Sequence, residues 1–508
     1  CHTSRMRANL QTHPILRAFN RVTGTVFCRQ VRDFAFMLLV GMVAQSGGHA
    51  AISFTSLLSF NGTNGAVPEA TLVEGKDGFL YGTTLGGGTN GVPFGNDGTV
   101  FRLSTNGALA TLAFLDRAYA ANPQAGLTAG SDGSWYGTTD FGGVRDWGAA
   151  FRVSSNGDFS IVAAFSWPEL EYANGLVEGT NGTLYGTGYY GGTNGGDGSI
   201  FSIDTTGSVS LVTSFGQTNG AHPQAPLVSD HLGNYYGTTV KGGTNGGWGT
   251  VFELTAAGNL VSLISFNGTN GADPMCPLHL EDDGTLYGIT SAGGTGFDQT
   301  PGSGNGTVFK VTPQRELITL HKFAGYPDDA AQSTFSGLCH ASDGNFYGTS
   351  EGGGTGGSGT IFRMSPDGAL QVLYSFTRPD YATATNADGW YPSSGIIEAS
   401  DGNFYGATMR GGFYDLGTIF RFSLLPEPPY LRSVVTAGNN IVFSWNATSG
   451  AKYQLQYVTQ IGASDWVDLG PAITATNSVC SVSDSIGSDG GRFYRVALRA
   501  SSGAVLRR

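Results

Sequence analysis

The chain has 508 residues, of which 81 are glycine and only 13% are charged, and its formal net charge is −12. Residues 1–50 carry six arginines and one aspartate, so the rest of the chain has a net charge of −17. A body this acidic repels phosphate backbones, which excludes nucleic acid as a partner. Glycine without a Gly-X-Y period excludes collagen, and 12% aromatic residues exclude a disordered chain.

The first predicted element is a secretory signal segment in residues 1–50. Arg29 and Arg32 precede the apolar run FAFMLLVGMVA at 34–44, and small residues follow this run. This order is typical of a signal peptide, and the run is too short to span a membrane as a mature helix. A buried N-terminal helix is the alternative. We therefore predict a secreted or cell-surface protein without a transmembrane segment in the mature chain.

Residues 51–424 repeat a unit of about 50 residues seven times. One motif resembles LYGTT followed by Gly-Gly, and a second resembles GTVF. The tyrosines of the first motif are Tyr81, Tyr136, Tyr185, Tyr236, Tyr287, Tyr347 and Tyr405. The last residues of the second are Phe101, Phe151, Phe201, Phe252, Phe309, Phe362 and Phe420.

Each repeat reads as four short strands rich in Val, Leu, Phe, Tyr and Thr, separated by Asp-Gly and Asn-Gly turns. Four antiparallel strands at this period predict an all-β fold, a seven-bladed β-propeller. A spare strand at 54–60 precedes the first repeat, and the last repeat ends with its third strand at 417–423. We expect these two ends to pair and close the ring, with one strand from the N-terminus and three from the C-terminus.

The glycine of the first motif, such as Gly82, weakens a strand unless something packs closely on it. We expect an aromatic ring of the adjacent blade, such as the phenylalanine of the second motif, to lie there.

These repeats resemble the GloVer tandem repeat of exported bacterial proteins, over about Phe54 to Ser423. The resemblance implies export and a propeller-like fold, and it implies no activity. A Pro-rich linker at 425–430 then leads to residues 431–508, which resemble a fibronectin type III-like β-sandwich. We expect its core to hold Trp445, Tyr453, Trp466 and Tyr494.

Strand order places the tight turns on one face of the propeller and the long, variable loops on the other. Scaffolds of this kind carry binding sites on the variable loops. Aromatic rings stack on sugars and carboxylates accept hydroxyl hydrogen bonds, which suits a neutral or cationic glycan. The candidate ligand-binding residues are Trp147, Tyr190, Asp197, Trp248, Asp380, Tyr381, Trp390 and Tyr414. The equivalent positions of Trp147 and Trp248 favour a structural role for that pair.

We predict a non-catalytic protein that binds a glycan or a cell-surface component, and we assign no catalytic residue. One alternative is a polysaccharide lyase or hydrolase that uses paired carboxylates in the long loops, with Asp97, Asp197, Asp328 or Asp415 as candidates. Another is a structural envelope component. A tight acid cluster with shifted pKa values would favour the enzyme.

The sequence predicts no cofactor or metal site, although calcium on the Asp-rich loops remains open. His279, Cys339 and His340 fall near corresponding points of two repeats, but they are too few to predict a metal site. Cys276, Cys339 and Cys480 remain after the signal segment. Cys276 and Cys339 could pair, but small buried hydrophobic residues are the stronger interpretation.

Overall fold

The computed structural model describes residues 52–88, 97–166, 170–332, 336–378, 386–425, 429, 431–438, 440–447, 451–460, 465–485 and 492–499. These residues form strands, turns and bends without a helix, which confirms the all-β prediction. Within the same residues there is accordingly no helix that could cross a membrane. The predicted signal segment, residues 1–50, lies outside the described residues.

The chain divides into two compact units, one spanning Gly47–Glu427 and one that includes Pro428–Arg508. The described part of the first unit contains seven four-stranded antiparallel sheets in chain order. The opening strand is β1 (Ile52–Ser59). Sheet 1 comprises β2 (Val73–Glu74), β3 (Leu80–Thr84), β4 (Thr99–Leu103) and β5 (Leu109–Phe114). Sheet 2 comprises β6 (Thr128–Ala129), β7 (Trp135–Thr139), β8 (Ala149–Val153) and β9 (Phe159–Ala164).

The next three sheets repeat this order. Sheet 3 comprises β10 (Glu171–Glu178), β11 (Leu184–Tyr190), β12 (Ser199–Ile203) and β13 (Val209–Ser214). Sheet 4 comprises β14 (Val228–Ser229), β15 (Tyr235–Thr239), β16 (Thr250–Leu254) and β17 (Leu260–Ser265). Sheet 5 comprises β18 (His279–Leu280), β19 (Leu286–Thr290), β20 (Thr307–Val311) and β21 (Leu317–Lys322).

The last two sheets contain short extra pairs in their loops. Between β21 and the end of the unit lie β22 (Ala330–Ala331), β23 (Cys339–His340), β24 (Phe346–Ser350), β25 (Gly352–Gly353), β26 (Thr360–Met364), β27 (Leu370–Ser375), β28 (Asn386–Trp390), β29 (Ile397–Glu398), β30 (Phe404–Thr408), β31 (Arg410–Gly412) and β32 (Thr418–Leu424). Sheet 6 has the order β23-β24-β26-β27, and sheet 7 has the order β29-β30-β32-β1. The opening strand is therefore the outer strand of sheet 7, with Ile52 opposite Leu424.

Successive side chains of a strand point to opposite faces of its sheet. Each strand therefore contacts the neighbouring sheets on both sides. Tyr81 packs against Trp135 of sheet 2, with ring centroids 4.5 Å apart. Leu80, the preceding residue, belongs to a buried cluster with Tyr405 and Ile419 of sheet 7. The same alternation brings each pair of consecutive sheets together and also brings sheet 7 against sheet 1.

The ring on the motif glycine comes from the same sheet, and the expectation of a ring from the adjacent blade is wrong. Gly82 lies directly opposite Phe101 in the pairing of β3 with β4. Opposite residues of an antiparallel pair share a face, so the phenylalanine ring folds over the missing side chain. A Cβ on Gly82 would lie 2.7 Å from Phe101 Cζ. The other six pairs are Gly137–Phe151, Gly186–Phe201, Gly237–Phe252, Gly288–Phe309, Gly348–Phe362 and Gly406–Phe420.

The loops that leave the second strand and those that enter the first strand lie together. In sheet 4, for example, Ala221 pairs with Lys241. The loop start is fixed by Thr239, whose hydroxyl lies 2.8 Å from that of Thr250 and 2.9 Å from the Lys241 carbonyl. These two loop types form one surface, the long-loop face.

In the C-terminal unit, β33 (Leu431–Ala437), β34 (Asn440–Asn446) and β38 (Val479–Ser485) form one sheet. The second sheet contains β35 (Lys452–Val458), β36 (Val467–Asp468), β37 (Ile473–Thr474) and β39 (Phe493–Arg499). Trp445 and Tyr453 are buried in a core that both sheets share, and Tyr494 packs on its edge. Trp466 instead lies beneath the guanidinium of Arg495, 4.3 Å from its ring centroid.

No disulfide joins Cys276, Cys339 or Cys480, the three cysteines of the described residues. Cys276 is buried in the cluster between sheets 5 and 6, whereas Cys339 packs against the cluster between sheets 6 and 7. Burial raises the pKa of the Cys276 thiol.

The glycine–phenylalanine pairs make a prediction about stability. Replacing glycine by alanine inside a strand is favourable when space is available. At Gly237 a Cβ would lie 2.6 Å from Phe252 Cζ, so we expect Gly237→Ala to lower the free energy of unfolding by about 1–3 kcal/mol. Gly216, whose Cβ would meet only Asn194 at 3.8 Å, provides the matched control Gly216→Ala. Urea unfolding measures both, and equal stability of the two variants would contradict the packing role.

Candidate functional site

A left-handed residue begins the same turn in every repeat, at the entry to the first strand. These residues are Val67, Asn122, Tyr172, His222, Asp273, Gln332 and Tyr391, with φ between 51° and 59°. Because the left-handed conformation costs roughly 1–2 kcal/mol for a residue with a Cβ, it persists only where other contacts fix it. The His222 amide donates to the Asp197 carbonyl at 2.7 Å, and the His222 carbonyl accepts from the Val240 amide at 3.1 Å. These bonds hold the turn between two neighbouring sheets.

The residues that follow this turn line a cavity of about 260 Å³. Five sheets contribute, and the polar side chains Glu69, Gln124, Asn174 and Gln224 come from the first four. Asn174 donates through Nδ2 to the Pro223 carbonyl at 2.9 Å, which fixes its amide. The shared cavity is therefore lined by hydrogen-bonding groups from equivalent positions of consecutive repeats.

Glu69, which lines this cavity, and Asp140 have strongly perturbed pKa values. The pKa of Glu69 is raised to about 7, chiefly by burial and also by the charge of nearby Glu351, while Arg410 opposes the change. Burial likewise raises the pKa of Asp140 to about 7, with a contribution from the charge of Glu69. Groups of this kind can accept or donate a proton at neutral pH. We call Glu69, Asp140 and Glu351 the acid group, since the charge of Glu351 raises the pKa of Glu69 and the charge of Glu69 raises that of Asp140.

An aromatic group surrounds His222 on the long-loop face. The Tyr189 ring stacks on the imidazole with centroids 4.8 Å apart, and the predicted residue Tyr190 meets it edge-on at 5.2 Å. Tyr190 also contacts Tyr172 at 6.1 Å. The predicted residue Asp197 joins this group through the His222 amide and binds Gln217 with its side chain.

A second pocket, the rim pocket, has a volume of about 210 Å³. It is lined by Tyr326, Gly356, Gly357, Ser358, Arg378, Trp390 and Tyr391. The rings of Trp390 and Tyr391 are 4.4 Å apart. Trp390 donates its indole N–H to Asp415 Oδ1 at 2.9 Å, and the same oxygen accepts from the Gly411 amide at 2.8 Å. The predicted residue Trp390 is thus held in place by a carboxylate that is itself anchored to the backbone.

The other predicted residues are spread over the long-loop face. Trp147 is half-buried against the cluster between sheets 2 and 3. Trp248 packs edge-on against Phe297 at 5.0 Å, and the exposed Tyr414 contacts Phe413 at 4.9 Å. Asp380 and Tyr381 lie outside the described residues.

The acid group was missed at the sequence level because each member sits inside a repeated motif. A comparison of equivalent positions in the seven repeats would have revealed these acids. Asp140 and Glu351 follow the second strand, where other repeats have Leu85, Val240 or Met409. The acids that the sequence suggested as catalytic candidates have other surroundings. Asp415 anchors Trp390, and Asp328 is exposed. Asp97 accepts the Asn122 amide through its carbonyl.

Among the described residues, one group of three side chains places its potential metal-ligand atoms within 4.8 Å of one another. It consists of His279, Glu281 and His340 at the opposite, tight-turn face.

Three overlapping stretches of the chain, residues 41–173, 125–333 and 297–460, match the model of the Gloeobacter/Verrucomicrobia repeat. No curated protein matches the chain.

Several solved structures are similar to the chain at low identity. A polysaccharide lyase of the ulvan lyase family PL25 is 10% identical with a TM-score of 0.41, over 72% of this chain and 94% of that chain. The β-propeller domain of the Trilobed protease from Pyrococcus furiosus is 8% identical with a TM-score of 0.40, over 69% and 92%. A periplasmic gluconolactonase from Pseudomonas aeruginosa is 13% identical with a TM-score of 0.36, over 79% and 95%. With TM-scores below 0.5, none of these likenesses assigns a function.

The raised pKa values predict how stability depends on pH. Between pH 4 and 7 the folded chain holds protons at Glu69 and Asp140 that the unfolded chain, with values near 4.5 and 3.8, has released. The contribution of these groups to stability is therefore full below about pH 4 and is lost as pH rises through 7. At about 1.36 kcal/mol per pKa unit, the shifts correspond to about 3 kcal/mol for Glu69 and about 4 kcal/mol for Asp140.

We expect Glu69→Gln and Asp140→Asn each to gain stability relative to the parent chain between pH 5 and pH 8, as measured by urea unfolding. Glu316→Gln, at an exposed glutamate, is the control and should follow the parent. If both variants kept the pH profile of the parent, the raised pKa values would be refuted.

Proposed function

The chain belongs to the Gloeobacter/Verrucomicrobia repeat family, and we propose that its seven sheets are the blades of a closed β-propeller that binds glycan outside the cell. Closure is supported by the pairing of β1 with β32 and by the packing of Leu80 of sheet 1 against Tyr405 of sheet 7. Each blade then has a neighbour on both sides, which leaves no unpaired edge at the join.

Export is supported by the predicted signal segment at residues 1–50 and leads to a secreted or cell-surface location. The C-terminal unit, residues 431–508, would act as a fibronectin type III-like sandwich that spaces or attaches the propeller. Its two sheets around Trp445 and Tyr453 support this assignment. Fold alone does not decide what such a sandwich binds.

The rim pocket is the observation that carries glycan binding. Tyr326 is 68% exposed and Tyr391 is 39% exposed, so their rings are available to a ligand. Trp390 is fixed by Asp415, and a ring fixed before binding loses little conformational entropy when a sugar stacks on it. Because the chain outside residues 1–50 has a net charge of −17, a neutral or cationic glycan suits the site better than a polyanion.

The acid group supports a second candidate function, a polysaccharide-active enzyme. Glu69 and Asp140 have pKa values raised to about 7, so one can serve as general acid while the other serves as general base. The shared cavity provides polar side chains beside Glu69 that could hold sugar hydroxyls. Glu69 and Asp140 therefore replace the acids of the long loops as candidate catalytic residues.

Glycan binding is tested with the full chain on a glycan array, with and without calcium. We expect saturable binding that falls at least about tenfold in Trp390→Ala or Tyr326→Ala, since one stacked ring contributes on the order of 1 kcal/mol or more. Tyr119, 64% exposed in the corresponding loop of sheet 2, gives the matched control Tyr119→Ala. A folded chain that binds nothing on the array would favour the structural envelope role.

The enzyme candidate needs a separate measurement. Polysaccharides that bind on the array are incubated with the full chain, and new reducing ends and new unsaturated products are measured. We expect turnover to be abolished in both Glu69→Gln and Asp140→Asn and retained in Trp390→Ala at saturating substrate. Turnover that survives both carboxyl substitutions would exclude this acid pair.

A further inference from the structure

The tight-turn face carries a repeated clamp between neighbouring sheets. Ser131 of sheet 2 donates its amide and its hydroxyl to Glu178 of sheet 3, each at 2.7 Å. The same bonds join Ser342 to Glu398 and Ser400 to Glu74. In each case the glutamate lies opposite the first residue of the second strand.

The junction of sheets 5 and 6 departs from this pattern. His340 lies opposite Phe346, in the place that the glutamate holds in those three junctions, and Asp282 stands in the place of the serine. His340 Nδ1 lies 2.8 Å from Glu281 Oε1. His279 Nε2 lies 3.2 Å from the same oxygen. A serine–carboxylate clamp is thus replaced by two imidazoles around one carboxylate.

We propose that His279, Glu281 and His340 bind a divalent transition-metal ion of the zinc class. Two imidazole nitrogens and one carboxylate oxygen are a ligand set that zinc accepts, with bonds of about 2.0–2.2 Å. A tetrahedron with such bonds has edges of about 3.3 Å. The observed separations of 2.8 and 3.2 Å, and the 4.8 Å limit for all three atoms, require only small side-chain movements.

The surroundings of the three residues favour binding of an ion. The Phe346 ring stacks on His340 with centroids 4.7 Å apart and meets His279 edge-on at 5.9 Å. This contact orients both imidazoles before any ligand arrives. Each side chain is about 30% exposed, so a fourth position remains open to water or to a donor from another molecule.

The sequence indicated His279 and His340 but supplied too few ligands. Glu281 completes the set because it follows the short strand β18 and reaches across the junction to β23. The site is independent of glycan binding, since it lies on the tight-turn face.

The test uses the full chain, prepared without a polyhistidine tag and stripped with a chelator. Zinc is titrated by calorimetry, and cobalt is titrated with visible absorption as a report of coordination geometry. We expect one equivalent of zinc to bind and to raise the melting temperature. Affinity should fall by more than about tenfold in His279→Ala, His340→Ala and Glu281→Gln, because even partners outside the coordination sphere contribute about that factor.

His231→Ala is the matched control, since His231 lies in a tight turn of sheet 4 and should leave zinc binding unchanged. If a histidine variant failed to fold, Glu281→Gln would decide, because it preserves the shape of the side chain. The proposal is overturned if zinc does not bind at one equivalent, or if binding survives all three substitutions.

Discussion

The contact between a glycine of the second strand and a phenylalanine of the third is the constraint on which the seven sheets depend. Gly82 lacks a side chain, so the Phe101 ring lies on the strand beside it and remains within the thickness of the sheet. Both residues are buried between sheets, and a larger residue than glycine would lift the ring toward the next sheet. The repeat therefore preserves glycine for spacing, and the close approach of neighbouring sheets follows from that spacing.

The turns that enter the first strand of each sheet determine where side chains can differ between repeats. The left-handed turn residues, such as His222 and Tyr391, bind the backbone of two sheets and so fix where the long loops begin and end. Their side chains are not restricted by this role, which explains why valine, tyrosine, histidine and aspartate all occur there. A constant backbone path with variable side chains allows each junction to hold a different chemical group.

The sequence predicted the strands, the turns and the family because these features recur with a fixed period. It predicted that a phenylalanine of the second motif lies on the glycine of the first, but it assigned that phenylalanine to the adjacent sheet. A period of two identifies the face of a strand and not the strand that covers it. Glu69 and Asp140 escaped notice because contacts between sheets bring together residues 71 positions apart. Glu281 was missed for the same reason, as its partner His340 belongs to the next repeat.

The pairing of β1 with β32 also has a kinetic consequence. Ile52–Ser59 leaves the ribosome before its partner Thr418–Leu424, which follows more than 350 residues later. At about 5–20 residues per second this interval lasts on the order of 20 to 70 s. Throughout it the opening strand has no native neighbour on its paired edge, and because its partner is so distant in sequence we expect their association to be slow. The seventh sheet therefore cannot be completed until residues 418–424 have been synthesised, long after the strands of the first sheet are available to pair with one another.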